Sequence, residues 1–336
     1  MSLNTSWFPK QVPPKPSGYY AQIIILRVTD SYSVFQTDGE LNTARVAAGM
    51  NDKEVVTRLT IFKRKQTTPE RLTGREMLRH YGFLSDEPVP DPKNKKERDA
   101  QGRFICDYNV AFCMNCPDCI SYGFAIGDSG SEKSKVITDT GYSLTPYDGS
   151  HESFTLNGPY ESGTMSRHGV PSSHINEADH VRPQVVFPAV ITTRDLTAPL
   201  FEYVLTNVLR TPRYGAQPTR TGTLQNRIVA IALTDGEIFS NLKLTQILHD
   251  ALKGQGKFNP PDPLDPDAAF TAAQNAMPDL LKADGVAPSQ LLIGKELDAY
   301  LQGFVSRLNS ADSVKAILQA AFNDSSQYYT TFVAKK

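Results

Sequence analysis

All four cysteines of the chain, Cys106, Cys113, Cys116 and Cys119, lie between positions 106 and 119. Four thiolates are the complement of a closed tetrahedral zinc site, and the repeated two-residue spacing lets backbone turns aim several sulfurs at one ion. In a reducing compartment such clustering argues for a metal rather than disulfides. The run also resembles the three-cysteine part of an iron–sulfur motif, with Pro117 in the wrong place for it, and reduced cysteines or a site completed by another ligand stay open. A catalytic zinc keeps an open position and a general base beside it. With no His-x-Glu pair present, the expected cofactor is a structural Zn2+ that staples the segment around it.

Other reactive side chains are less organised. Of six histidines, His151, His168, His174 and His180 share one segment with Glu152, Glu161, Glu177 and Asp179. That segment has little apolar content to desolvate and tune them, so they read as polar loop residues rather than an acid–base site. The chain lacks a phosphate-binding Gly-x-x-x-x-Gly-Lys-Ser/Thr loop, a Gly-x-Ser-x-Gly elbow and a His-Glu-x-x-His motif. No catalytic residue is assigned.

Charge is segregated. The chain balances 35 basic against 36 acidic residues, a formal net charge of -1. Yet Arg58, Lys63, Arg64, Lys65, Arg71 and Arg75 are opposed only by Glu70, and Arg210, Arg213, Arg220 and Arg227 occupy a stretch without any acid. Local basic stretches on a neutral body are what a phosphate-binding groove needs, although each alone could be an ordinary solvated face. Lys63, Arg64, Lys65 and Gln66 precede a helix predicted over 69–81 with Pro69 near its start, so cations and free amides could meet one phosphate. Arg213-Tyr214-Gly215 offers an arginine for phosphate beside an aromatic for stacking; the plainer reading is a tyrosine packed under a helix end.

The elements that must position these residues read as a mixture. Residues 19–28 form a buried strand, and a second strand-like stretch precedes the helix at 69–81. A mixed-charge, proline-rich loop then leads to the cysteines. Residues 127–179, rich in Gly, Ser, Thr, Asp and Asn, suit projecting hairpins. A strand over 184–193 carries a central proline, which places it at an edge or bulge. A helix over 198–209, a strand over 226–233, a helix over 242–252, a loop over 258–267, a helical stretch over 298–322 and a final strand over 328–333 complete the order. Strands and helices mix without strict alternation, so an α+β, ferredoxin-like core with large insertions fits best. The 336 residues, 40% of them hydrophobic, suffice for one such core. Neither an apolar leader nor a span of about 20 apolar residues is present, which predicts a cytoplasmic protein with no membrane partner.

The stretch VITTRDLTAPLFEYVLTNVLRTPRYGAQPTRTGTLQNRIVAIAL, with the cysteine insertion and the glycine-rich segment before it, resembles the Cas-seven backbone subunit of type I-D CRISPR Cascade, of the RAMP superfamily. The likeness runs from about Tyr19 to the C-terminus. It implies a hand-shaped subunit: an N-terminal arm (1–18), an RRM-like palm (19–336), a zinc-bearing finger inserted at 84–130 and a β-hairpin thumb at 131–182. Copies would stack head to tail along one guide RNA. The implied partners are crRNA, a target DNA strand, further copies of the chain and other Cascade subunits. Carried onto this chain, Lys63, Arg64, Lys65, Gln66 and Arg75 would grip the guide backbone. Arg210, Arg213, Tyr214 and Arg220 would lie along the same groove, and Met165, Arg167 and His168 would belong to the thumb. The aromatic signature of base-stacking RRMs is not evident, so RNA would be held by backbone and shape. The alternatives are a RAMP-type nuclease cutting RNA or single-stranded target, with His168 or Asp139 as candidate base or acid, and a zinc-bearing assembly protein without RNA.

Overall fold

The run YAQIIILRVT folds as strand Tyr20–Thr29, third of five in the largest sheet. The computed structural model describes residues 2–89, 98–125, 130–155 and 177–334, with the backbone of two short strands, Ser166–Arg167 and Val170–Pro171. The sheet order is Pro288–Leu292, Leu224–Thr234, Tyr20–Thr29, Val186–Arg194, Val136–Thr138, and every neighbouring pair is antiparallel. Strand 20–29 leads through helix Lys63–His80 to strand 136–138; strand 186–194 leads through helix Ala198–Arg210 to strand 224–234. The two strand–helix–strand units interleave, each inserting one strand between the two of the other. The structure is thus mixed α+β on antiparallel sheets, as expected.

Both sheet faces are covered, which explains why the central strand carries an unbroken apolar run, Ile23 to Leu26, rather than an alternating one. Ile23 and Ile25 pack with Leu78, Leu200 and Val204 of helices 63–80 and 198–210. Ile24 and Leu26 point the other way, against Leu244 and Leu248 of helix Asn241–Gly254 and Ala273 of helix Pro266–Asp284. A one-residue slip would exchange the two sets, and each fully buried aliphatic side chain contributes about 1.5–3 kcal/mol, so the register is strongly specified. The one amide within this run, Gln22, is satisfied by Thr234 Oγ1 at 2.7 Å, Gly236 O at 2.9 Å and Thr192 Oγ1 at 3.0 Å.

A second, three-stranded sheet joins Thr43–Ala47, Val55–Ile61 and Gly141–Pro146. Strand His151–Thr155 pairs with Glu177–Val181, and Ser166–Arg167 with Val170–Pro171. The N-terminal segment is ordered: Leu3, Phe8 and Val12 are buried, and the carboxylate of Asp195 accepts from Ser17 N and Tyr19 N.

Several boundaries differ from the sequence expectations. The first helix begins at Lys63, so Pro69 lies inside it rather than at its start. The stretch read as one helix over 298–322 is two, Gly294–Leu308 and Ala311–Tyr328, divided where Ser310 caps the second by accepting from Ser313 N. Helix 266–284 and edge strand 288–292 were not anticipated, the helix because its alanine-rich face carries a weak apolar signal. Residues expected as a final strand form a helical turn, Tyr329–Val333, continuing helix 311–328. Pro188 is not on an edge strand but opposite Leu26 of the central strand, and strand 136–138 on the other side reaches only Ile191–Thr193.

Candidate nucleic-acid interface and metal centre

Pro69 has no N–H to give the carbonyl four residues back in its helix. That carbonyl, on Lys65, instead accepts from Gly215 N at 3.2 Å. Gly215 has φ +105, and a Cβ there would stand 2.5 Å from the carbonyl oxygen of Val34, so glycine is required. One helix defect and one glycine thereby dock the Arg213-Tyr214-Gly215 loop onto the basic first turn of helix 63–80. Beneath the joint lies a buried polar network. Arg27 donates to Glu70 at 2.7 Å and to Gln66 at 2.8 Å, Tyr214 Oη donates to Glu70 at 3.0 Å, and Asn226 Nδ2 donates to Tyr214 Oη at 2.9 Å. Burial pushes the Glu70 carboxyl up, and the Arg27 guanidinium opposes that shift.

Above the joint is an open groove of about 630 Å3. Helix 63–80 forms one wall with Arg64, Lys65 and Leu72; the other walls come from Arg213 and its loop and from Tyr108 of the cysteine insertion. Arg64 and Arg213 are exposed, while Lys65 is half-buried with its Nζ 2.8 Å from Thr37 Oγ1. Arg220 is exposed on the same loop but does not border the groove.

Not every expected residue reaches this groove. Lys63 turns away, toward a separate cavity shared with Asp139 and Glu237. Arg210 donates to Leu308 O at 2.6 Å, tying two helices together. Gln66, Arg75 and Tyr214 are corrected from RNA contacts to buried structural groups, exposed by 1%, 0% and 0%. Of the basic residues in 58–75, Arg58 and Arg71 are buried too, the former spent on the carbonyls of Ser143 and Ala48 at 2.6 and 2.7 Å. Met165 and His168 lie outside the described residues, and Arg167 is placed only by its backbone pairing with Val170. Sequence reading missed Arg27, which a strand residue flanked by apolar neighbours conceals, and Tyr108.

The cysteines converge. Their four sulfurs lie within 4.8 Å of one another, all buried, and Cys106 Sγ is 3.9 Å from Cys116 Sγ and 3.6 Å from Cys119 Sγ. A tetrahedral ion with metal–sulfur bonds of about 2.3 Å spaces its sulfurs roughly 3.8 Å apart, so the cluster fits one ion. Backbone amides point at sulfurs, Cys113 N to Cys106 Sγ and Cys116 N to Cys113 Sγ, each at 3.3 Å. Met114, between Cys113 and Cys116, adopts φ +60 to make the turn. Arg75 donates to Cys106 Sγ at 3.3 Å and to Asp118 at 2.8 Å, and Arg71 grips both Asp118 oxygens at 3.0 and 2.9 Å. Hydrogen bonds from its neighbouring cysteines, with Arg75 alongside, hold the Cys106 thiol well below its ordinary range, whereas burial pushes Cys116 and Cys119 up. Four buried sulfurs of this kind cannot all ionise without a bound cation, which is the donor chemistry of a metal site.

His151 stacks on Tyr147 with ring centroids 3.9 Å apart, His180 Nδ1 meets Ala178 O at 3.0 Å, and His249 lies 3.2 Å from Asp52. Asp139 engages its neighbour, its carboxylate accepting from Thr140 N at 2.7 Å.

Fold and site together describe an interleaved α+β protein with a basic groove and an inserted four-cysteine centre. A family model described as Csc2 Crispr matches residues 7–318, and the chain belongs to that CRISPR family. The crystal structure of Thermofilum pendens Csc2 is similar, with 15% identity and a TM-score of 0.53 over 98% of this chain and 95% of that one. Two chains from structures described as a CRISPR RNA-guided surveillance complex also align. One does so at 12% identity and TM-score 0.48 over 80% of this chain and 87% of its own, the other, described as pre-nicking, at 10% and 0.49 over 80% and 90%. No curated protein matches the sequence.

Proposed function

We propose that this chain is a guide-RNA-binding backbone subunit of a CRISPR effector complex of type I-D, whose copies polymerise along crRNA and, with other Cascade subunits, support binding of a target DNA strand. The observation that carries this reading is the groove that joins Arg64 and Lys65 to Arg213 on a chain of the Csc2 family. Phosphates are bound by such cations without regard to sequence, which suits a guide whose sequence varies. The interleaved sheet supports an RRM-like palm. Its base-stacking face is covered here by helices 241–254 and 266–284, which supports recognition by backbone and shape. The paired strands 151–155 and 177–181 fit the base of a thumb. The near-zero net charge lets copies stack without strong mutual repulsion. Among the described residues no helix is long and apolar enough to cross a membrane, and the proposed site of action is the cytoplasm.

The metal in this reading is zinc, held by Cys106, Cys113, Cys116 and Cys119. When bound it supplies a structural cross-link. Arg75 and the two backbone amides stabilise the sulfur charge, and burial excludes water from any open position.

Head-to-tail contacts between copies do not close, so mass should grow with RNA length. Light scattering on purified protein mixed with single-stranded RNAs of increasing length checks this. Steadily rising mass supports the assignment; a fixed dimer or ring, or no association with RNA at all, overturns it.

A further inference from the structure

The turn between strands 43–47 and 55–61 leaves Met50 and Val55 in water, at 41% and 57% exposure, and neither joins a core cluster. Yet the turn that carries them is firmly anchored. The Asp250 carboxylate accepts from Asn51 N at 2.7 Å, and Asp52 accepts from Lys253 Nζ at 2.6 Å. A Cβ on Gly49 would stand 1.8 Å from Asp250 Oδ1, so the backbone is pressed onto that carboxylate and only glycine fits. Apolar side chains held in water on a rigid turn form a preorganised knob, because little entropy is lost when they are covered. At the other end of helix 241–254 lies an open hollow of about 490 Å3. Leu281, Val286, Pro288 and Leu291 give it an apolar lining, and Lys282 is its one charged lining residue. Lys243 meets Asp284 beside the hollow at 2.5 Å, whereas Lys253 meets the knob. About 15 Å of helix separates these two lysines. Knob and hollow therefore stand at opposite ends of one helical layer.

We infer that copies of the chain join by seating Met50 and Val55 of one in the Leu281–Val286–Leu291 hollow of the next, with Glu54 meeting Lys282. This rests on the RNA-binding reading above and deepens it by naming the two surfaces that stack. A knob and a hollow at different places on one chain make a heterologous contact that does not close. Charge agrees with a second copy as occupant. Glu54 is exposed beside the knob, Lys282 is exposed at the hollow, and neither has an ion pair among the described residues. Lys53, next to Glu54, turns its ammonium back onto Met50 O and so leaves the acidic group dominant. Two side chains in a hollow bury far less than the roughly 1,000 Å2 that a stable pair needs. The contact therefore acts where RNA already holds neighbours together, which makes binding to long RNA cooperative and leaves free protein monomeric.

The test uses full-length chains and two single-stranded RNAs, the shortest that seats one copy and one several times longer. Val55→Asp should bind the short strand as wild type does. It should bind the long strand about tenfold more weakly and lose the rise in scattered mass, because neighbours no longer help one another. Glu54→Lys alone and Lys282→Glu alone should each show the same loss in weaker form. An equal mixture of these two should recover assembly, because every knob then meets a hollow of opposite charge; a misfolded variant would not be rescued by another. If Val55→Asp assembles on long RNA as wild type does, or the mixture does no better than its parts, the knob seats something other than a second copy, and the inference fails while RNA binding stands. If wild type binds neither RNA, the RNA-binding reading falls and takes the inference with it.

Discussion

Arg64 and Arg75 stand on one helix, about three turns apart. Arg64 is exposed, with no ion pair among the described residues, whereas Arg75 is fully buried, spent on Asp118 and Cys106. The same residue type thus does two jobs on one element. Toward the solvent end it is a solvated cation that costs little and is free to meet an anion. Toward the insertion it is a fixed charge whose desolvation is offset by the Asp118 carboxylate and the Cys106 sulfur. A basic stretch in sequence is not a basic surface: Arg58, Arg71 and Arg75 would be counted with Arg64, yet all three face inward.

The sharpest way to break this comparison is Arg75→Met. It leaves Cys106 without its guanidinium and Asp118 with Arg71 alone, and should cost up to about 3–5 kcal/mol, with loss of metal from the purified protein. Arg64→Ala, an exposed change, should stay within about 0.5 kcal/mol. Thermal unfolding and elemental analysis of both variants check this; equal effects would erase the distinction. Cys116→Ser should release the metal and loosen the insertion while the sheet stays folded, and a wild-type protein carrying no metal would remove the zinc assignment.

An intermediate effect is expected beneath the groove. Tyr214→Phe removes one hydroxyl from the Arg27–Glu70 network and should cost roughly 1–3 kcal/mol in denaturant unfolding, because Asn226 and Glu70 each lose a partner. A neutral result would mean the tyrosine is held by packing alone.

The smallest stability effects should bring the clearest functional ones. Arg64→Ala and Arg213→Ala should each weaken single-stranded RNA binding alike for every sequence and reduce the salt dependence by about one phosphate contact. Arg220→Ala, exposed but off the groove, should do less. Anisotropy titrations over a salt series decide this, and a loss confined to one RNA sequence would indicate base readout instead.

Local pattern alone was enough for much of the molecule. The apolar run at 19–28 announced a buried strand, and the cysteine spacing announced four sulfurs able to converge on one ion, because a strand's burial and a turn's geometry depend on near neighbours. The α+β class followed from the order of such elements. Tertiary structure decided which charges are free. Whether an arginine meets water or Asp118 depends on what the fold places opposite it, and Asp118 lies far from Arg75 in sequence. The groove is also tertiary: Gly215 reaches the Lys65 carbonyl only because Pro69 leaves it vacant, and Tyr108 arrives from an insertion that the cysteines fold back onto the helix. Hydrogen-bond vacancies and converging loops are pairings across distance, and single-sequence periodicity carries no record of them.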